Sequence, residues 1–511
     1  MRTVVRSQTS RRAWTGYDSD SPSLITGVFV KGIISIWIIV AVLSICWALA
    51  LKRQAGEPYI HDPSTVIQCD GKFYTFGTGG GGLISDDGWI WHSGAVRPGG
   101  GLAPDVIKID GRYFVAYASK GGGMSGGHAG AINTMWTKTL DPKSPDFGFH
   151  DDTVVATTDG VEDADAIDPS FLYANRRLWL TYGTYFGYIR LAELDPKTAK
   201  RIPGNKAVNI GIDMEATDMM YRDGWYYLLG THGSCCDGAN STYNIRVGRS
   251  RRVTGPFLDN MGVDMLKGGG KLFLAANGRH IGPGHFGLLD LGDGVQKFSC
   301  HYEADMDRGG RSVLAIGPLM WRDGWPVAGE NFQGGVYEIQ SERSGYALEL
   351  GVDFVRMTGG RGGGFGRPSA GPVQPVPSQE LSQVSADWPA GNIELRLGNY
   401  MVRPHQKWKI TPVDGVGGYP GSPYFKICIE GTERTLAATT DREVMALPSF
   451  TGAPEQLWRI DQLTDGTYRL MPKAVPGSKE PWVLTAAGMS TPTLAKFEPK
   501  SDKSRWTFNK P

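Results

Sequence analysis

Residues 61–76 read HDPSTVIQCDGKFYTF. A carboxylate, Asp62, stands ahead of a short apolar run, an Asp70-Gly71 turn and the aromatic strand KFYTF. Asp-Pro alone is ordinary turn punctuation, but the chain repeats the arrangement. Asp105 in LAPDVIKIDGRYFVAY leads to Asp110-Gly111, and Asp168 in AIDPSFLYANRRLWLTY leads to a turn at Asn175. Glu215 in MEATDMMYRDGWYYLL leads to Asp223-Gly224, and His285 in GPGHFGLLDLGDGVQKFSCHY leads to Asp293-Gly294. Five times a polar residue heads a short strand, a turn and an aromatic-rich second strand.

Units of about 45 to 70 residues, each a small antiparallel meander, fit the blades of a β-propeller. The first strand of each blade lines a central channel, so the five leading residues converge at one end of it. A sixth turn, Asp323-Gly324-Trp325, lies in a run expected to close the ring against the first blade. Crowding Asp62, Asp168 and Glu215 into one confined space is how enzymes drive acid and base pKa values apart. Asp105 reads equally well as a turn cap.

Lys plus Arg number 53 and Asp plus Glu 52, so a net charge of +1 gives no footprint for nucleic acid. The 71 glycines, 15 tryptophans and 20 tyrosines suit short strands, tight turns and aromatic surface for a ligand. Residues 32–51, GIISIWIIVAVLSICWALAL, carry no charge and are long enough to span a bilayer as one helix. Arg2, Arg6, Arg11, Arg12 and Lys31 precede them, which predicts a cytoplasmic tail over 1–31 and an extracytoplasmic remainder, periplasmic or at the cell surface. The rival reading is a signal peptide cleaved near Ala48-Leu49-Ala50, giving a secreted protein. Of six cysteines, Cys235 and Cys236 are adjacent; a vicinal disulfide or two reduced buried thiols are both open, with the thiols as default.

The segments HDPS, AIDPS, GSCCDGANSTYNIRVGRS and IGPGH, in this order over residues 57–335, resemble glycoside hydrolase family 43, and most closely its endo-α-1,5-L-arabinanases. The resemblance implies a five-bladed propeller, placed here at 57–350, and an inverting glycosidase. It implies Asp62 as general base, Glu215 as general acid and Asp168 as the residue that raises the acid's pKa. His61, Asp165, Ala166, Ile167, Thr184, Tyr185 and Phe186 match positions lining the family's sugar pocket, and His285 matches a histidine that holds hydrated calcium. Leu102 where tryptophan is usual, Asp165 for asparagine, Thr217 for proline and the glycine-rich KGGGMSGGHAG at 120–130 depart from the pattern and loosen the tie to linear arabinan.

Residues 358–378 are rich in Gly and Pro and read as a linker. Beyond them, over 379–511, Gln406-Lys407-Trp408, Gln456-Leu457-Trp458 and Ser504-Arg505-Trp506 recur at intervals of fifty and forty-eight residues. That spacing resembles a ricin-B-like β-trefoil, in which the tryptophans pack the core. The expected fold is thus all-β: a five-bladed propeller followed by a β-trefoil, with one N-terminal transmembrane helix. The expected activity is hydrolysis of α-L-arabinofuranosidic linkages in a polysaccharide such as arabinan. An exo-acting arabinofuranosidase, a xylosidase, a galactanase or a non-catalytic carbohydrate-binding surface protein are the alternatives.

Overall fold

The structure is a computed structural model and describes residues 54–120, 130–158, 165–185, 187–352 and 381–511. The apolar stretch 32–51 and the Gly/Pro-rich stretch 358–378 lie outside these residues. Among the described residues no helix is long and apolar enough to cross a membrane.

Five antiparallel sheets follow one another along the chain as the blades of a propeller. Their inner strands are Ile67–Cys69, Leu102–Ile109, Ser170–Ala174, Glu215–Arg222 and His280–Asp290. Strand pairs flank Asp70-Gly71, Asp110-Gly111 and Asp223-Gly224, where both turn residues have positive φ. This is the turn whose twist matches a two-residue hairpin, and it explains the Asp-Gly repeat.

The second strands are buried at nearly every position because each blade is covered on both faces, and in blades one to four they are largely apolar. In the first blade Tyr74 packs toward blade two with Val106 and Val115, while Phe73 packs toward blade five with Leu289 and Leu314. Phe114 meets Phe171 and Leu180 between blades two and three, and Trp179 meets Met219 and Leu228 between three and four. Tyr227 and Val247 meet Phe286 and Phe298 between four and five. The core is therefore divided into wedges, one per gap between blades.

Ring closure differs from the sequence expectation. Asp323-Gly324 is only the last hairpin of blade five, joining Arg311–Arg322 to Trp325–Ala328. The seam is made by the N-terminal side: Tyr59 bridges Val313, and the Leu314 N–H donates to Pro58 O at 2.8 Å. Ala55–Gly56 also adds a parallel strand to the outer edge of blade one.

Asp105 does not stand at the channel mouth with the other leading residues. Aligning the blades by backbone, left-handed φ occurs at Asp62 (50°), Ala103 (41°), Asp168 (51°), Ala216 (47°) and His285 (56°). Asp105 lies two residues further in. Its Oδ1 accepts from the Thr65 N–H at 3.1 Å and its Oδ2 from the Phe171 N–H at 2.9 Å, tying blades one, two and three together. Asp218, at the matching place in blade four, accepts from Ser170 Oγ at 2.8 Å.

The C-terminal third also begins earlier than its sequence suggests. Gly335–Ser341 and Ala347–Leu350, placed within 57–350 as propeller, pair instead with strands of the C-terminal module. Ala347 faces Gly398 and Leu350 faces Leu395, so residues before 353 and after 380 belong to one sheet. The proposed linker thus interrupts this module and does not separate it from the propeller. Six strands close a ring in the order Gly335–Ser341, Trp408–Pro412, Phe425–Ile429, Trp458–Gln462, Tyr468–Pro472 and Trp506–Asn509. Trp408, Trp458 and Trp506 are wholly buried, and their indole N–H groups donate to Leu348 O, Leu436 O and Leu484 O at 2.7, 3.0 and 2.9 Å.

Asp105 supports the fold and does not reach the channel end. Asp105→Ala removes the acceptor of the buried Phe171 N–H and the partly buried Thr65 N–H and is expected to cost about 1–3 kcal/mol. Calorimetry should show the lowered melting temperature, with activity retained below it. Unchanged melting with lost activity would place Asp105 in the chemistry.

Candidate active site

In three blades a register shift accompanies the left-handed residue, between Leu102 and Asp105, Glu215 and Asp218, and Gly284 and Gly287. Such a bulge turns a side chain out of the strand and re-aims it. Residues of all five blades, among them Thr65, Asp105, Asp168, Ala216 and His285, line a narrow void on the axis. Asp62, Asp168, Glu215 and His285 meet at its end.

Asp62 Oδ2 accepts from Thr78 Oγ1 at 2.6 Å, and its Oδ1 lies 3.1 Å from His285 Nδ1. Burial alone would raise its pKa. The charge and hydrogen bond of His285, then the charges of His61 and His301, outweigh burial and hold the carboxylate far below its usual range. The Asp62 N–H donates to His301 Nδ1 at 2.9 Å, and the His301 ring stacks on His61 with centroids 4.8 Å apart.

Asp168 has the opposite environment. Burial pushes its carboxyl up to about 8, with His285 opposing and Glu215 and Asp62 adding to the rise. Its Oδ2 accepts from the Ala216 N–H at 3.1 Å. Glu215 is raised as well, by burial first; the Thr184 hydrogen bond and His285 oppose, and Asp62 and Glu303 reinforce. Thr184 Oγ1 donates to Glu215 Oε2 at 2.9 Å, and the Tyr243 hydroxyl donates to Oε1. A Cβ on Gly284 would lie 2.8 Å from the Tyr243 ring, so this glycine makes room for the tyrosine to reach. Burial would strip the proton from His285, yet Asp62, Asp168 and Glu215 together raise it to about 9. The site therefore keeps one carboxylate ionised beside an imidazolium, and a coupled carboxyl pair that retains a proton.

The pocket residues expected from sequence divide. His61 is half-exposed, its Nε2 3.6 Å from Asp62 Oδ1, and Thr184 touches Glu215 directly. The Tyr185 hydroxyl is tied to Thr231 O at 3.0 Å. Asp165 and Ala166 are shut off from solvent and Ile167 nearly so. A Cβ on Gly130 would come 2.5 Å from Asp165 Oδ1, so this glycine lets the second blade pack directly on the segment. Phe186 lies outside the described residues. Cys235 and Cys236 are joined as a disulfide and not held as buried thiols. A loop between two strand ends keeps them at the surface, where no core shields them.

Sequence reasoning missed Thr78, Tyr243, His301 and Glu303. Tyr243 lay inside the quoted STY segment. His301 and Glu303 belong to the second strand of blade five and read there as ordinary interior positions.

Opposed protonation states at one channel mouth are the equipment of a glycosidase, and the protein is a glycoside hydrolase. The chain belongs to glycosyl hydrolases family 43, whose pattern matches residues 73–326. It is 30% identical over 301 residues to the extracellular endo-α-(1→5)-L-arabinanase 1 of Bacillus subtilis, covering 53% of this chain and 88% of that one. It is 29% identical over 326 residues to the extracellular exo-α-(1→5)-L-arabinofuranosidase of Cellvibrio japonicus, covering 57% and 91%. A solved exo-1,5-α-L-arabinanase from a bovine ruminal metagenomic library is 30% identical, with 55% and 99% covered and a TM-score of 0.49.

The Thr184 hydrogen bond favours the ionised form of Glu215, so removing it raises the Glu215 pKa further. Thr184→Val is expected to move the alkaline limb of the kcat/KM–pH profile upward by about half to one unit. A limb that stays in place or moves down would contradict the assignment of that proton to the Asp168–Glu215 pair.

Proposed function

We propose that the protein hydrolyses α-1,5-linked L-arabinofuranosyl chains with inversion at the anomeric carbon. The observation that carries the reading is the split between Asp62, held ionised, and Glu215, held toward its protonated form, around one buried histidine. Asp62 removes a proton from water on one face of the sugar, and that water attacks the anomeric carbon. Glu215 gives its proton to the departing glycosidic oxygen. Inversion asks for about 6.5–9.5 Å between the two carboxyls, which leaves space for the water. Asp168 shares one proton with Glu215, and the charge of Glu215 in turn raises the Asp168 carboxyl. His61, Thr184 and Tyr185 are the described pocket residues nearest this pair.

The arabinan reading rests on the names of the relatives, one an endo-arabinanase and one an exo-acting arabinofuranosidase. Both relatives are named extracellular, which supports an extracytoplasmic place for the catalytic part. Residues 32–51 would then attach the protein to the membrane or be removed as a signal.

His285 Nε2 is buried and has no hydrogen-bond partner among the described residues, which suits a cation ligand. His285 belongs to neither of the groups of three or more ligand-type side chains among those residues, so water would complete the shell of a calcium ion. When bound, the ion supplies positive charge in place of the proton that the surrounding carboxylates otherwise hold on His285. The C-terminal module, with its closed ring and threefold tryptophan pattern, is best read as a ricin-B-like β-trefoil that holds the enzyme to polysaccharide.

Glu215→Gln keeps the shape of the site and removes its acid. Hydrolysis of linear arabinan is expected to fall about 10³-fold, with far-UV and thermal behaviour preserved. Near-normal turnover would exclude Glu215 as the acid. Product sizes and the anomer first released by the unaltered enzyme report mode and stereochemistry; a retained anomer would overturn inversion.

A further inference from the structure

A second cluster of chemically active side chains lies beside Asp62, and the proposed hydrolysis leaves its two cysteines unused. His61, Cys235, Cys236 and Glu303 come from blades one, four and five, and their ligand-type atoms all lie within 4.8 Å of one another. Cys236 Sγ is 4.0 Å from His61 Nε2, and the Cys236 N–H donates to Glu303 Oε1 at 3.4 Å. Glu303 is buried. Burial would raise its pKa, but the hydrogen bond and charge of His301 and the charge of His61 hold it below its usual range. The cysteines are surface residues and within reach of a reductant; the other described cysteines, Cys69, Cys300 and Cys428, are buried.

As a disulfide the two sulfurs are poor ligands. Reduced, they become two thiolates facing an imidazole and a carboxylate. That is an S₂NO donor set of the kind borderline and soft divalent cations prefer. Around a tetrahedral zinc-sized ion, ligand atoms stand about 3.5 Å apart, given metal–ligand bonds of about 2.0–2.3 Å. The cluster needs to contract by roughly an ångström, and breaking the S–S bond frees both sulfurs to move.

We propose that reduction of Cys235–Cys236 opens a site for a thiophilic divalent cation held by both cysteines, His61 and Glu303, and that filling it shuts the active site. A dithiol supplies two electrons and two protons, becoming a disulfide itself, and the Cys235–Cys236 bond breaks to give two thiols. The cation then displaces both thiol protons to solvent. Because His61 also lies against Asp62, capturing its ring draws a positive charge across the carboxylate and narrows access to it. The blocking half of the proposal rests on the reading of Asp62 as the catalytic base; the binding half does not.

Cadmium is the probe, since thiolate-to-cadmium charge transfer gives an ultraviolet band. The full protein is reduced with a trialkylphosphine, which ends as its oxide with oxygen from water, then desalted and titrated with Cd²⁺. One Cd²⁺ per chain with the band is expected for the reduced protein. No band is expected for the oxidised protein or for the Cys235→Ser, Cys236→Ser double variant after the same treatment. Both controls keep the buried cysteines. Absence of the band in the reduced protein, or an equal band in the double variant, overturns the site. Turnover of linear arabinan by the reduced protein should fall at least tenfold as the band saturates and return on chelation. A saturated band with undiminished turnover overturns the blocking. If the oxidised protein never hydrolyses arabinan, the functional reading fails, and the band still decides whether the site exists.

Discussion

Four ionisable side chains share one confined, largely buried space, and the rest of the site follows from that constraint. Three carboxylates and an imidazole cannot all be charged there, since each charge loses its water and like charges repel. The lowest-energy arrangement gives His285 a proton, leaves Asp62 ionised against it, and keeps another proton on the Asp168–Glu215 pair. The asymmetry comes from contacts. Asp62 has the nearest imidazole nitrogen and the Thr78 hydroxyl, whereas for Asp168 the charge of His285 and one backbone N–H are outweighed by burial and by the charges of Glu215 and Asp62. Acid and base character are thus imposed by position on residues of one chemical class.

The blades must therefore hold their inner strands in fixed register around the axis. They do so with buried carboxylates two residues below the mouth: Asp105 spans three blades, and Asp218 reaches the Ser170 hydroxyl. Above this belt each blade presents a residue with left-handed φ, an uncommon conformation for side chains other than Asn, Asp and Gly. Aspartate fills it in blades one and three. Ala103, Ala216 and His285 fill it elsewhere, at a cost of order 1 kcal/mol each. Such strain persists only where the surrounding sheet fixes the backbone, and here it aims the functional side chains into the channel.

The repeat of strand heads and Asp-Gly turns made the blade count readable, because turn chemistry is local. Asp62, Asp168, Glu215 and His285 were readable because each stands on or ahead of an inner strand and upstream of its turn: Asp62 precedes Ile67–Cys69, and His285 lies within His280–Asp290. Asp105 misled because a bulge shifts register by a residue and sequence spacing carries no mark of it. Thr78, Tyr243, His301 and Glu303 reach the site from second strands and connecting loops. Their placement depends on how blades meet, which local patterns do not encode. The early start of the C-terminal module was hidden because 358–378 looks like a boundary, while the pairing of Ala347–Leu350 with Ile393–Gly398 is non-local.

The C-terminal module also addresses the weakest place in the ring. Four of the five gaps between blades join consecutive segments of chain, but the gap between blades five and one has no covalent connection. Its own closure rests on the wedge around Trp91 and Leu314 and on the short bridge at Tyr59. The module holds both sides. On blade one the Gly418 N–H donates to Asp87 Oδ2 at 2.8 Å and the Gly421 N–H to Gly88 O at 3.1 Å. On blade five the Trp321 N–H donates to Thr464 O at 2.8 Å and the Thr464 N–H to Gly294 O at 2.9 Å. Asp461 lies buried at the same junction, accepts from Arg469, and its charge bears on the buried Lys297 of blade five. A module that grips the first and last blades resists their separation whatever else it binds. Since Asp62 comes from the first blade and His285 from the last, the ion pair at the centre of the site depends on that seam staying shut.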